Sequence, residues 1–323
     1  MKKPLSLLII VVFSLMSVAK TTGQEPPKIV TIGFLTNGAR PSPLTKVLMQ
    51  ALEELGYVDG KNIRVERRSA NGKRERLAGL AAELVALEPA VIVPSGPTTA
   101  NYVLKATRTI PVVMPNAGAD PVKYKFVKSW GVPGGNATGL AIGVKGLRSK
   151  RMQLLKETLP AVRNVIFLNP RRPRPTSHAE YQKAADALGI KLEVTNVRSN
   201  SDIEQFFLGL ATKSPDALII ERNTLTLRNA KKIGEWVVKN RIATMNNQRI
   251  FVETGGLISY GVNYPANWRR AAIYIDKILK GANPATLPVE PPRLEMVVNL
   301  KTAEKLGVKI PPEILLEANE VMK

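Results

Sequence analysis

From Lys28 onward the chain alternates short apolar runs with helical segments, and this alternation limits the fold more than any other feature. The clearest unit is 90–106, AVIVPSGPTTANYVLKA. Its opening apolar run is stopped by Pro94-Ser95-Gly96-Pro97, the pattern of a strand covered on both faces. Thr98-Thr99 then open a helix. Two such units precede it. Strand 28–35 leads to helix 44–55, which stops at Gly56, a good helix-ending residue. Strand 62–68 leads to helix 74–87, with Leu77, Leu80, Ala81, Leu84 and Leu87 on one face. Strand 110–114 follows, then a polar loop through Asn116 and Asp120, a short helix to about Trp130 and the turn Pro133-Gly134-Gly135-Asn136. This spacing implies right-handed βαβ crossovers and a parallel sheet.

A helix over 146–159 leads out of that unit and the alternation starts again. Strands are expected at 162–168, 191–197, 217–220 and 242–245, with helices at 179–188, 202–211 and 225–239. Two similar halves without a Gly/Ser linker make two doubly wound α/β lobes on a short hinge. In such sheets ligands sit beyond the carboxyl ends of the strands. The polar residues there are Asn37, Arg40, Ser95, Thr98, Asn116 and Asp120 in the first half. The second supplies Asn169, Arg171, Arg172, Glu221, Arg222, Asn223, Asn246 and Asn247. Ser95, Thr98 and Thr99 stand at a helix start, where they either cap the helix or help hold an anion. Tyr260, a strand residue, faces either the cleft or the core.

The chain has no cysteine, which removes disulfides, thiolate catalysis and Cys-bearing metal sites. Its only histidine, His178, lies past a Pro/Arg loop at a helix start and suits a surface position better than a general base. There is no G-x-S-x-G elbow, and Gly33–Gly38 has phosphate-loop spacing but continues into Ala39-Arg40. No dinucleotide G-x-G-x-x-G follows the first strand. Asp120 and Glu221 read as ligand-amine partners or solvated carboxylates before they read as a catalytic pair. Neither a cofactor nor a metal is expected, and the chain is read as a binding protein, not an enzyme.

At the N-terminus, Met1-Lys2-Lys3 precedes an almost wholly apolar run over 5–19 that ends in Ser17-Val18-Ala19. Roughly 20 apolar residues are needed for a span, so 1–19 reads as a cleavable signal peptide. Losing Lys2 and Lys3 lowers the formal charge from +21 to +19. Scattered basic residues on an exported chain suit a solvated surface, not nucleic-acid binding. Without a cysteine for lipid attachment, the expected location is the periplasm, in soluble form.

The last third carries a resemblance. Residues 255–261 (GGLISYG), 268–282 (WRRAAIYIDKILKGA), 287–292 (LPVEPP), 299–303 (NLKTA) and 306–312 (LGVKIPP) resemble the substrate-binding proteins of ABC transporters, in the family that includes tryptophan- and phenylalanine-binding members. Earlier stretches agree: 54–63 (ELGYVDGKNI), 80–85, 110–113 and 133–139 (PGGNATG). The resemblance implies a type I periplasmic-binding fold with three crossings between lobes. Lobe one would span 28–142, with part of 264–299 returning to it, and lobe two 146–262; the side of 300–323 stays open. It also implies capture of a small solute and its delivery to a permease driven by a separate ATPase; the alternatives are a periplasmic module that signals its liganded state to a receptor and an exported enzyme on the same scaffold, and a monomer is expected. Two departures bear on specificity: Glu221-Arg222-Asn223-Thr224 stands where a carboxylate loop is common, and Asn246-Asn247 where an aromatic is common. The expected ligand is amino-acid-like or carboxylate-bearing. Ser95, Thr98 and Thr99 would hold its carboxylate, and Asp120 or Glu221 an amine. Arg40, Arg171, Arg172 and Arg222 either favour a carboxylate or are rim charges in water.

Overall fold

The computed structural model describes residues 29–38, 42–169, 175–210 and 215–323, with backbone alone at 175–177. The expected signal peptide and the candidates Arg40, Arg171 and Arg172 lie outside the described residues. The first half runs β1 (Val30–Thr36), α1 (Pro43–Glu54), β2 (Ile63–Ser69), α2 (Leu77–Ala86), β3 (Val91–Pro94), α3 (Pro97–Ala106), β4 (Val112–Met114) and β5 (Ala137–Gly139). Its five strands are parallel in the order β2-β1-β3-β4-β5. Every residue of β3 is buried, as its unbroken apolar run requires. Helix α1 begins cleanly because the Ser42 hydroxyl accepts from the Leu44 N–H at 3.0 Å and Pro43 stands in its first turn.

The second half follows as α4 (Leu147–Thr158), β6 (Asn164–Asn169), α5 (Pro175–Ala187), β7 (Lys191–Asn196), α6 (Asn200–Gly209), β8 (Ala217–Ile220), α7 (Thr224–Arg228), α8 (Ala230–Lys239), β9 (Ala243–Asn246), α9 (Arg249–Glu253) and β10 (Ile258–Val262). Then come α10 (Tyr264–Leu279), β11 (Leu294–Asn299), α11 (Leu300–Leu306), α12 (Pro312–Glu317) and β12 (Glu320–Met322). The second sheet has the order β12-β11-β10-β9-β8-β6-β7, parallel except that β11 runs antiparallel to β10. That reversal follows from the route of the chain, because β11 enters from the other half.

Helix α10 leaves the second sheet and packs on the first. Its Trp268, Ala271, Ala272 and Ile275 share one core with Ile32, Phe34, Leu48 and Val91, and the Phe34 and Trp268 ring centres lie 6.1 Å apart. The segment 300–323 joins the second half, where β12 extends the sheet beside β11 and Ala303, Ile310 and Ile314 enter its core.

Two local expectations fail for physical reasons, and one strand was not foreseen. The helix expected at 225–239 is broken at Asn229, whose amide donates to the Leu225 carbonyl and to Asn200 Oδ1, both at 2.9 Å. The segment 120–130 is turns, not helix: Asp120 Oδ1 takes the Val122 and Lys123 N–H groups, and Lys125 adopts φ +59°. Strand β5 follows the turn at 133–136, where sequence reading assigned no element, and is ordered by its register with β4.

Among the described residues the chain passes between the halves after β5, after β10 and again between α10 and β11. Buried Asn267 ties these passages together. Its Nδ2 donates to the Ala141 carbonyl at 3.3 Å and its Oδ1 accepts from the Arg293 N–H at 3.1 Å. Asn263 N–H donates to the Arg293 carbonyl at 2.8 Å, and Ala141 N–H to the Glu290 carbonyl at 2.9 Å. Glu290 is in turn clamped by Arg270 at 2.6 Å.

Replacing Asn267 with Ala strands the buried Ala141 carbonyl and removes the partner of the part-buried Arg293 N–H, so Asn267→Ala is expected to cost about 1–3 kcal/mol in urea unfolding. The hydrogen bond from Arg270 and its charge hold the Glu290 carboxyl below its ordinary 4.5, against the opposing effect of burial. A folded-state value below the unfolded one contributes stability above pH 4.5, which is lost as pH falls through the folded value. Thermal melts across the acid range should therefore show a shallower acid loss for Glu290→Gln than for the native chain.

Candidate ligand-binding cleft

Beside the crossings lies a cavity of about 350 Å³ with walls from both halves. The first half contributes Pro97 at the start of α3 and the loop residues Gly118, Ala119 and Tyr124. The second contributes Arg148, Arg151, Glu180, Glu221, Asn247 and Gln248, and the crossings add Ile142, Gly143, Val262 and Tyr264. A neighbouring cavity of about 610 Å³ lies between the start of α1 and the second half, and shares Gln248 and Tyr264 with it. Gly143 has to be glycine here, since a Cβ would stand 1.9 Å from the Ala119 carbonyl oxygen.

The second-half wall is built on one carboxylate. Glu221, at the end of β8, is 5% exposed. Arg148 grips both its oxygens, with Nε and Nη2 each at 2.9 Å, and Arg151 Nη1 and the Tyr181 hydroxyl reach Oε1 at 3.2 Å. Arg151 also donates through Nε to the Tyr260 carbonyl at 2.6 Å, so β8, β10, α4 and α5 meet at this cluster. Burial lowers the pKa of Arg148, but the hydrogen bond and charge of Glu221 outweigh it and the net shift is upward. Burial, reinforced by Glu221 and opposed by Arg151, pushes the Tyr181 phenol well up. Matching a buried carboxylate with two guanidinium groups avoids the cost of an unmatched charge.

Several expected residues serve the scaffold here. Thr99 is buried; its hydroxyl donates to the Gly96 carbonyl at 2.9 Å and accepts the Gly96 N–H at 3.1 Å, so it caps α3. Asn169, 2% exposed, donates to Asn196 Oδ1 across the β6–β7 pair at 2.8 Å. Asn246 is fully buried and donates to Thr244 Oγ1 and the Ile258 carbonyl at 2.9 and 3.0 Å. Asn223 caps α7 through the Thr226 N–H at 2.8 Å. Asp120 holds the turn described above. Tyr260 packs at the edge of the second-half core, and Glu221 is occupied by guanidinium groups instead of an amine.

Of the others, Arg222 lines the larger cavity, and Asn37, Ser95, Thr98 and Asn116 line neither. Ser95 is half-buried and Thr98 exposed at the start of α3. The Asn116 amide nitrogen stands 3.8 Å from where a Cβ on Gly96 would be, so it lies beside the same helix start. Asn37 follows β1, and its Oδ1 is buried without a partner among the described residues. Arg222 lies over the Tyr264 ring at 4.7 Å, and its N–H donates to Asn247 Oδ1 at 2.8 Å. Sequence reading missed Arg148, Arg151, Gln248 and Tyr264. The spacing of Arg148 and Arg151 puts both on one face of α4, but only the arrival of β8 supplies their carboxylate.

A family model described as ABC transporter substrate binding protein matches residues 39–322. The tyrosine-binding protein of Clostridioides difficile (strain R20291) is 23% identical over 299 residues, covering 90% of this chain and 84% of that protein. Among solved structures, the ABC domain from Streptococcus pneumonia in complex with L-Trp is 25% identical, with a TM-score of 0.74, covering 91% of this chain and all of that one. A ligand-free, open substrate-binding protein with adhesive properties from Clostridium difficile gives a TM-score of 0.71 at 22% identity and likewise covers 91% of this chain and all of that one.

Because Arg151 is only 4% exposed, Glu221→Gln leaves a buried guanidinium without its counter-charge. Chemical denaturation is expected to show a loss of about 3–5 kcal/mol, and a double change of Glu221 and Arg151 to neutral residues of similar volume should recover part of it.

Proposed function

The chain belongs to the ABC transporter substrate-binding protein family, and from that premise we propose that it captures a small organic solute, amino-acid-like or carboxylate-bearing, between its two lobes. The observation that carries this reading is the cavity lined from both halves beside the three crossings. Its volume is within the usual range for small-molecule sites. The solutes named for the tyrosine-binding relative and the L-Trp-bound structure support a ligand of amino-acid size.

In this proposal the lobes span 28–142 and 146–262, with α10 returning to the first, and they close on the solute about the crossings. Ser95 and Thr98 at the start of α3 meet a carboxylate together with the unpaired N–H groups of its first turn. Asn37 and Asn116 line the same side, and Arg222 and Asn247 face them. Arg40 and Arg171 belong to the proposal by sequence alone. Exported by a signal peptide at 1–19 and without a cysteine to lipidate, the mature chain works in the periplasm as a soluble monomer. It hands its solute to a permease and the ATPase that drives it, and performs no chemistry on it.

Native mass spectrometry of protein purified without denaturation is expected to show a retained small organic molecule. Protein that is reproducibly empty and binds no amino or organic acid in equilibrium dialysis would sink the reading. For the solute so identified, Ser95→Ala/Thr98→Ala is expected to weaken binding by roughly tenfold or more, from two lost hydrogen bonds. Unchanged affinity would remove the helix start from the site.

A further inference from the structure

The wall of the smaller cavity carries the two signs of charge in equal number. It holds the guanidinium groups of Arg148 and Arg151 and the carboxylates of Glu180 and Glu221. Glu221 takes both arginines, as described above. Glu180 Oε1 accepts the Arg148 and Ser149 N–H groups at the start of α4, at 3.1 and 3.3 Å, and its charge favours the charged form of Arg148. Asp120, Lys145 and Arg222 do not line this cavity.

The polar side chains of the wall are only partly engaged. Arg148 meets Glu221 through Nε and Nη2, and its Nη1 has no partner among the described residues. The same holds for Glu180 Oε2. Asn247 accepts the Arg222 N–H through Oδ1 and leaves its Nδ2 free. Gln248 donates through Nε2 to the carbonyls of Asn247 and Val262 at 2.8 and 3.2 Å, and its Oε1 accepts nothing among the described residues. The hydroxyls of the wall residues Tyr124 and Tyr264 are likewise without a partner there. The wall therefore offers two donors, two acceptors and two hydroxyls that serve as either. None of these atoms is sealed from solvent, so water can satisfy them while the cleft is empty.

A solute that enters displaces this water and has to replace its hydrogen bonds. Hydrocarbon would strand donors and acceptors alike. An added charge would upset a wall in which the two signs are equal. Hydroxyls and amides donate and accept without charge, and so meet both conditions. We infer that the part of the solute held in this cavity is an uncharged body bearing several hydroxyl or amide groups. The inference rests on the solute-capture reading above and narrows it. The carboxylate end of the solute stays at the start of α3, whose first turn reaches this cavity at Pro97. Glu180, Asn247 and Gln248, with the hydroxyls of Tyr124 and Tyr264, act as specificity-determining groups, because a site built to hydrogen-bond a polar body rejects the analogue that lacks it.

Calorimetry on the mature chain with solutes matched in size tests this: glutamine against methionine and glutamate, and gluconate against hexanoate. Glutamine or gluconate is expected to bind about 30-fold tighter or more than its counterparts, the scale of two or more polar groups left unpaired in a closed site. Asn247→Asp keeps the oxygen that takes the Arg222 N–H and exchanges the free donor for a second oxygen. Tyr124→Phe/Tyr264→Phe keeps both rings and removes both hydroxyls. Each variant is expected to weaken the preferred solute by about tenfold or more while circular dichroism and melting stay native-like. If in both sets a hydrocarbon or charged member binds as tightly as its amide- or hydroxyl-bearing counterpart, or tighter, the inference is overturned and solute capture stands. Discrimination undiminished in both folded variants also overturns it, and loss in either supports it. Where none of these probes binds, the solute retained in the native mass spectrum decides: a body bearing hydroxyl or amide groups supports the inference, and a hydrocarbon or charged body overturns it. Binding of none by a protein that retains no solute overturns both readings.

Discussion

The connections between the two lobes meet at one buried side-chain amide, that of Asn267. Asn267 contacts the passage after β5 and the passage before β11, and it stands one turn into the helix that follows β10. All three connections are therefore joined at one point that water does not reach. Buried backbone groups must find partners, and an amide offers a donor and an acceptor on the same rigid group. This geometry keeps the connections together between the two sheets. The cavity opens beside this point, with walls supplied by segments that the tie holds in place.

A second constraint shapes the far wall. Glu221 stands at the carboxyl end of β8, where an open parallel sheet places its ligand-facing groups. In this chain that place is occupied by an internal ion cluster. A carboxylate gripped by Arg148, Arg151 and Tyr181 is costly to bury and more costly to break, so it fixes α4, α5, β8 and β10 against each other. The same arrangement takes the negative charge of Glu221 out of play. The next residue, Arg222, lies over the Tyr264 ring.

Much of the fold was legible in the order of residues. Strand β8 lies at 217–220, and β3 and α2 lie within a residue or so of where their apolar patterns end. Those patterns are local: an apolar run for a strand covered on both faces, a stripe for a helix covered on one. The failures share a different cause. The 120–130 turn, the break at Asn229 and strand β5 depend on a side chain meeting backbone or on pairing with another strand. The site was less legible. Thr99, Asn169 and Asn246 have the right chemistry at the right strand ends, yet their polar atoms are used within the scaffold. Arg148 and Arg151 lie on a helix, away from the strand ends that sequence reasoning inspects.

By itself the sequence determined two α/β lobes of parallel sheet, the positions of most elements, the absence of thiol chemistry and the family. It could do so because periodicity, turn chemistry and family motifs are written in neighbouring residues. Only the tertiary structure decided which polar groups are free. Whether Glu221 meets a solute or an arginine depends on α4 arriving beside β8, and whether Arg222 is paired depends on every carboxylate within reach. The sequence placed a polar turn at the start of α3 and left capping and anion binding open. The fold assigned the cap to Thr99, whose hydroxyl meets both the Gly96 N–H and its carbonyl.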